Sequence, residues 1–212
     1  MIRSLAISTF FVLFFSSCSL KTTEGLRPSA LSGAKISNPY FSDPEMDYVY
    51  KAKIEVLNKN FGGILIVKKT APQSHRIVMT TEFGGKLLDF QYENDIFIKN
   101  YVIEELDRKF ILNILKEDFR LLLLENANIL AAYGSDSNQV YKTQYGKRFN
   151  FYFIEKSSDR LEKIVNTTKT KEKVTVYFTS SNGTIAENIS IKHNNFKLKI
   201  DLEKFKENLY VD

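Results

Sequence analysis

The chain has 212 residues, with 30 basic and 25 acidic side chains and a formal net charge of +5. The two signs are interspersed and there is no arginine-rich block, which argues against a nucleic-acid-binding protein. A single cysteine rules out a disulfide within one molecule, and with two histidines it leaves little for a Cys/His metal site.

Arg3 precedes an apolar run, Leu5 to Phe15, interrupted only by Ser8 and Thr9. The run would make roughly 16 Å of helix, short of the ~30 Å core of a bilayer, so it reads as a signal-peptide segment. It ends in Phe15-Ser16-Ser17-Cys18, which resembles the lipobox of bacterial lipoproteins. The resemblance implies cleavage before Cys18, diacylation of its thiol and acylation of the new amine, giving a membrane anchor. Several acyl chains hold a protein stably where one does so only marginally. Ser19, rather than an aspartate, follows the cysteine. By analogy with proteobacterial sorting this implies the outer membrane, with the domain facing the periplasm. Residues 1–17 are thus expected to be the signal peptide. Residues 18–47, rich in Pro, Ser, Asn and Gly and without hydrophobic periodicity, are expected to be the lipidated N-terminus and a tether, with the apolar Tyr40 and Phe41 able to pack on the domain. Residues 48–212 are expected to form one domain.

From Tyr48 the pattern has period two. Tyr48, Tyr50, Ala52, Ile54 and Val56 share one face, with Lys51, Lys53 and Glu55 on the other. Further strands are predicted over Phe61 to Lys69, His75 to Phe83, Lys86 to Tyr92 and Ile96 to Tyr101, with Gly84-Gly85 as a tight turn. The links are too short for parallel crossovers, so the strands form an antiparallel meander. The period then becomes 3.6. Ile111, Leu115, Phe119 and Leu122 fall on one stripe, which predicts a helix near 105–123, with Glu104, Glu105 and Asp107 at its start.

A β pattern resumes after the loop 134–138. Phe149, Phe151 and Phe153 alternate, then Leu161 and Val165, then Val174, Val176 and Phe178. Asn182-Gly183 predicts a type I′ hairpin turn. Ile185 to Ile191 and Phe196 to Leu202 complete about ten strands. The fold class is mainly β with α: a curved antiparallel half-barrel sheet covered by one main helix. One helix covers only part of a concave face, which leaves room for an apolar cavity.

Catalytic and cofactor signals are missing from the pattern. His75 and His193 have no partner at metal-ligand spacing, Gly62-Gly63 and Gly84-Gly85 are no phosphate loop, and no Gly-x-Ser-x-Gly elbow is present. The glycine pairs read as strand bends or turns. Asp89, in an otherwise apolar strand, reads as outward-facing. The expectation is a protein without enzymatic activity, metal or cofactor.

The stretch Ser74-His75-Arg76-Ile77-Val78-Met79-Thr80-Thr81-Glu82-Phe83-Gly84-Gly85-Lys86-Leu87-Leu88-Asp89-Phe90 resembles the third and fourth strands of the LolB-type outer-membrane lipoprotein receptor, where a large apolar residue followed by Gly sits at the turn. The helix after strand five and the hairpin Ile185 to Leu202 are similar as well. The Lys-, Asn-, Ile- and Phe-rich composition is similar to LolB-like lipoproteins of Bacteroidetes-type bacteria. The resemblance implies a LolA/LolB-like half-barrel around a cavity for acyl chains, with a LolA-type periplasmic carrier as partner. It makes Phe83, beside Gly84, the candidate wedge into membrane or cargo. It departs from the family in lacking every tryptophan. The candidate cavity lining is Ile54, Val56, Leu65, Val67, Met79, Phe90, Ile111, Leu115 and Phe119. The competing expectation is a non-enzymatic accessory or scaffold lipoprotein of the cell envelope, in which these residues pack into a filled core.

Overall fold

The computed structural model describes residues 20–31 and 33–205, so Cys18 and the signal segment lie outside the described residues. Fourteen strands and one α-helix follow in chain order: β1 (Arg27–Ser29), β2 (Lys35–Ile36), β3 (Asp47–Val56), β4 (Lys59–Ala71), β5 (Ser74–Thr80), β6 (Lys86–Glu93), β7 (Ile96–Val102), α1 (Lys109–Leu123), β8 (Ala127–Gly134), β9 (Asn138–Tyr145), β10 (Arg148–Glu155), β11 (Arg160–Thr167), β12 (Glu172–Thr179), β13 (Asn188–His193) and β14 (Leu198–Lys204). The sheet runs β1-β8-β9-β10-β11-β12-β13-β14-β3-β4-β5-β6-β7, with β2 also paired to β8. Neighbouring strands are antiparallel, and the path ends at β1 and β7 without closing.

The alternation in β3 does what its pattern predicts. Tyr48, Tyr50, Ala52, Ile54 and Val56 are buried in the core, Tyr48 and Tyr50 against Phe41, and Lys51, Lys53 and Glu55 face out. In β14 the residues Leu198, Ile200 and Leu202 are buried in the same way and pair in register with Val56, Ile54 and Ala52. The helix seals this part of the concave face with Ile111, Leu115, Phe119 and Leu122. Arg120 then closes the curl. Its Nη2 donates to the Asp95 carbonyl at 3.1 Å, and its guanidinium lies over the rings of Tyr92 and Tyr145 at 5.7 and 5.2 Å. Asp95 is in the β6–β7 turn and Tyr145 ends β9, at opposite ends of their strands. A twist of roughly 20° per strand, summed over the steps from β6 to β9, reaches roughly 180°, so opposite strand ends meet across the helix.

Four expectations are corrected. The sheet has fourteen strands rather than about ten. The additions are β1, β2, β8 and β9, and β8 is apolar at nearly every position with only Ala132 buried, so it shows no period-two contrast between its faces. The helix begins at Lys109, because Glu104 to Asp107 form turns closed by the Leu106 and Asp107 N–H groups on the Ile103 carbonyl. Asn182-Gly183 is not a two-residue hairpin, since β12 and β13 are separated by residues 180–187. There the Asn182 Oδ1 accepts from the Thr184 and Ile185 N–H groups, each at 3.0 Å.

The fourth concerns residues 20–47, which are fastened to the domain rather than acting as a tether. Tyr40 and Phe41 are buried in the core. The Tyr40 hydroxyl donates to the Leu161 carbonyl at 2.6 Å, and the Asn38 amide donates to the Leu122 carbonyl at 2.8 Å. Leu20 and Leu26 cover a second apolar cluster, Val140, Phe151, Phe153 and Val165, on the outer face of β9–β11. Tyr40 and Phe41 pack on the domain as their apolar character allows, and Leu20 and Leu26 fasten the segment further up.

Candidate functional site

A groove of about 400 Å³ runs along α1, between the helix and the ends of β9 to β13. At 3.6 residues per turn, Phe110, Ile114, Glu117, Leu121 and Leu124 form one stripe of the helix, adjacent to the stripe buried in the core. This second stripe forms one wall. Val174, His193 and Phe196 contribute to the other, with Tyr145, Arg148, Asn150, Asn166 and Lys173 toward its polar end. Phe110 and Phe196 meet edge to face at 4.9 Å at the end of the groove nearest the helix N-terminus. Arg120 and Tyr145 bound it near the C-terminus and separate it from a smaller polar concavity that holds His75 and Glu125. The volume lies in the range of ligand sites, about 300–1,000 Å³.

The groove contains one buried ion-pairing couple. Asp118 is 2 % exposed, and its Oδ2 lies 2.8 Å from the His193 Nε2. Burial raises the Asp118 carboxyl above the usual range, and His193 opposes that rise. The Asn166 Nδ2 donates to the Asn150 Oδ1 at 2.6 Å. Among the described residues neither Arg148 nor Lys173 has a side-chain hydrogen bond or ion pair. A larger, more open concavity of about 610 Å³ lies on the outer face. It is bordered by Lys51, Lys53, Ser190, Asp201 and Glu203 together with Ala52, Tyr177, Ile189 and Leu202, and lies away from α1.

The nine residues expected to line a cavity are brought together, but inside the sealed core. Ile54, Leu65, Met79, Phe90, Leu115 and Phe119 are fully buried, and Val56, Val67 and Ile111 are at most 3 % exposed. None of them borders the groove. The face with the strongest apolar pattern is the one that α1 covers. The groove uses the weaker, mixed stripe beside it, whose signal was the apolar spacing Phe110, Ile114, Leu121.

Phe83 is 99 % exposed. Its turn is closed by the Thr81 N–H on the Gly85 carbonyl at 2.7 Å and by the Gly84 N–H on the Thr81 carbonyl at 3.0 Å. Gly84 has φ +83°, a conformation that favours glycine, so the residue after Phe83 is set by the turn. Behind this hairpin sits Asp89, outward-facing as expected but covered. It accepts from Arg76 at 3.0 and 2.8 Å, from Lys86 at 3.1 Å and from Asn100 at 3.3 Å. Arg76 foremost, then Lys86 and Asn100, hold its carboxyl down to about 2 against the effect of burial. His75 is buried, with Nε2 3.0 Å from the Phe41 carbonyl, and burial pushes its pKa down. Among the described residues no group of three or more His, Cys, Asp or Glu side chains is placed to hold a metal ion.

The chain is similar in fold to a LolA superfamily protein from Nitrosomonas europaea, with a TM-score of 0.50 at 8% identity over 80% of this chain and 87% of that one. Two further solved structures are similar over much of their length. One is a domain from Vibrio parahaemolyticus described as an outer membrane lipoprotein-sorting protein domain, with a TM-score of 0.42 at 9% identity over 76% of this chain and 83% of that one. The other is a DUF1329 family protein from Desulfovibrio piger, with a TM-score of 0.38 at 7% identity over 77% of this chain and 87% of that one. No protein-family model matches the sequence, and no curated protein does. The fold is therefore of the LolA/LolB type: an unclosed, curved antiparallel sheet with a helix against its concave face.

Proposed function

We propose that this protein is an acylated envelope lipoprotein that holds an acyl chain of a lipid, or of another lipoprotein, in the groove along α1. The observation that carries the reading is the groove itself: an open, ligand-sized space with Phe110, Ile114, Leu121, Leu124, Val174 and Phe196 in its walls, beside a buried apolar core. Each methylene taken from water contributes about 0.8 kcal/mol, so about ten of them offer roughly 8 kcal/mol without any covalent step. The LolA-type fold supports the same reading.

The receptor role adds two features from the sequence. Cys18 is the anchor, placing the domain at the outer membrane and facing the periplasm. Phe83, held out on its Gly84 turn, is the wedge that enters a bilayer or a LolA-type carrier during transfer. No catalytic group is required.

Titration with a fluorescent fatty acid tests the groove. Saturable binding with one site per chain is expected, and it should be lost in Ile114→Arg, which puts a charge in the apolar wall. If wild-type protein shows no saturable binding, the accessory-lipoprotein reading takes its place.

A further inference from the structure

The hairpins β9–β10, β11–β12 and β13–β14 lie at the same end of consecutive strands. Two strand spacings separate one tip from the next, about 10 Å. Their tips carry Lys147, Arg148, Lys169, Lys171 and Lys197, all exposed. Among the described residues none of these five side chains has a hydrogen bond or ion pair. The one acidic residue on these tips is Glu172, which accepts from the Thr22 hydroxyl at 2.7 Å. The tips at the other end of the same strands have the opposite character. They carry Asp136, Glu155, Asp159 and Glu187, and their basic residues are spent on carbonyls, Lys156 on Ser135 at 2.6 Å and Arg160 on Ser180 at 2.9 Å. Charge is thus segregated between the two ends of one set of strands, although the chain as a whole is only mildly basic.

Two further facts say what this basic row faces. It borders the groove, whose lining includes Arg148 and, just behind the tips, Lys173 and Phe196. The Thr22–Glu172 hydrogen bond also brings the N-terminal segment to the same row. Cys18 is four residues before Thr22, a reach of at most about 14 Å. An acylated Cys18 therefore keeps this end of the strands near the bilayer.

We infer that the row of basic tips is a docking surface for the anionic headgroups of a lipid bilayer, which sets the mouth of the groove against the membrane. The attraction is electrostatic and local: each lysine or arginine near an anionic surface strengthens partition by about fivefold, and the effect fades within a Debye length of about 10 Å at 0.1 M salt. The inference uses the anchor at Cys18 from the proposed function, but not occupancy of the groove.

The test is cosedimentation of residues 19–212, a chain that contains every described element, with vesicles of phosphatidylcholine alone or mixed with phosphatidylglycerol. Binding is expected on the mixed vesicles only, and it should fall as salt rises. Lys169→Gln with Lys171→Gln, neither of which lines the groove, should weaken it about twentyfold. Glu155→Gln with Asp159→Gln, on the opposite tips, should leave it unchanged. Equal binding to neutral vesicles, or indifference to the Lys169 and Lys171 changes, overturns the inference. So does salt-sensitive self-association without vesicles, which would assign the basic tips to the acidic end of a second copy. Fatty-acid binding should be the same in both double variants, so failure of the groove and failure of the docking surface give different patterns.

Discussion

Replacing Asp89 with asparagine should loosen the hairpin that presents Phe83. Arg76 of β5, Lys86 of β6 and Asn100 of β7 converge on this one carboxylate, so it ties three strands together behind the turn. The gap between its pKa of about 2 and the ordinary 3.8 corresponds to roughly 2.4 kcal/mol, at 1.36 kcal/mol per pH unit. Arg76 and Lys86 are 48% and 46% exposed, so solvent screening brings the expected cost to about 1–2 kcal/mol. The sign follows from linkage. A depressed carboxyl pKa contributes stability that is fully present above the ordinary carboxylate range and is lost as pH falls through about 2. Urea unfolding of wild type and Asp89→Asn should therefore differ by about 1–2 kcal/mol at neutral pH, and by a few tenths near pH 2. Hydrogen exchange at Thr81 to Lys86 should speed up in the variant at neutral pH. A stability difference that stays the same across this range would refute the argument, since it would mean that the charge of Asp89 is irrelevant.

Four further outcomes are expected. Gly63→Ala should cost about 2 kcal/mol in thermal unfolding, because an added Cβ would lie 1.8 Å from the Thr80 carbonyl oxygen, whereas Gly62→Ala meets open space and should be near neutral. Burial lowers the His75 pKa, so its contribution is complete above the ordinary histidine pKa of about 6.5 and lost as pH falls below it; His75→Gln should flatten stability over that window, as measured by denaturant midpoints. Phe83→Glu should leave the melting temperature within about 2 °C, because the side chain is 99% exposed, yet slow transfer of bound fatty acid to vesicles. Tyr40→Phe removes a 2.6 Å hydrogen bond to the Leu161 carbonyl and should cost about 1–2 kcal/mol, with proteolysis rising near residues 30–45.

The parts of the fold that were legible are those where one face meets the core and the other meets water. The alternation in β3 and β14 and the stripe Ile111, Leu115, Phe119 and Leu122 belong to that class. Strands β8 and β9 do not. Neither Ile129 nor Ala131 is buried, and the outer face of β9 is covered by Leu20 and Leu26, which arrive from far away in sequence. Asn182-Gly183 misled because the Asn182 side chain stabilises a longer connection by capping two N–H groups. The groove was the least legible. Periodicity marks the most apolar face, and that face is sealed by α1. The groove mixes Ile114 and Leu121 with Asn150, Arg148 and Lys173, residues that a periodic pattern assigns to solvent. The pairing of Asp118 with His193, 75 positions apart, likewise has no local sequence signal.

The central claim is that an acyl chain lies along α1, and photocrosslinking tests it most directly. A fatty acid with a photoreactive group near its tail, bound at substoichiometric concentration and mapped by mass spectrometry, should label residues between Phe110 and Leu124 together with Val174 or Phe196. Labelling confined to the outer-face concavity around Lys51 and Asp201, or none above a detergent-blocked control, would contradict it.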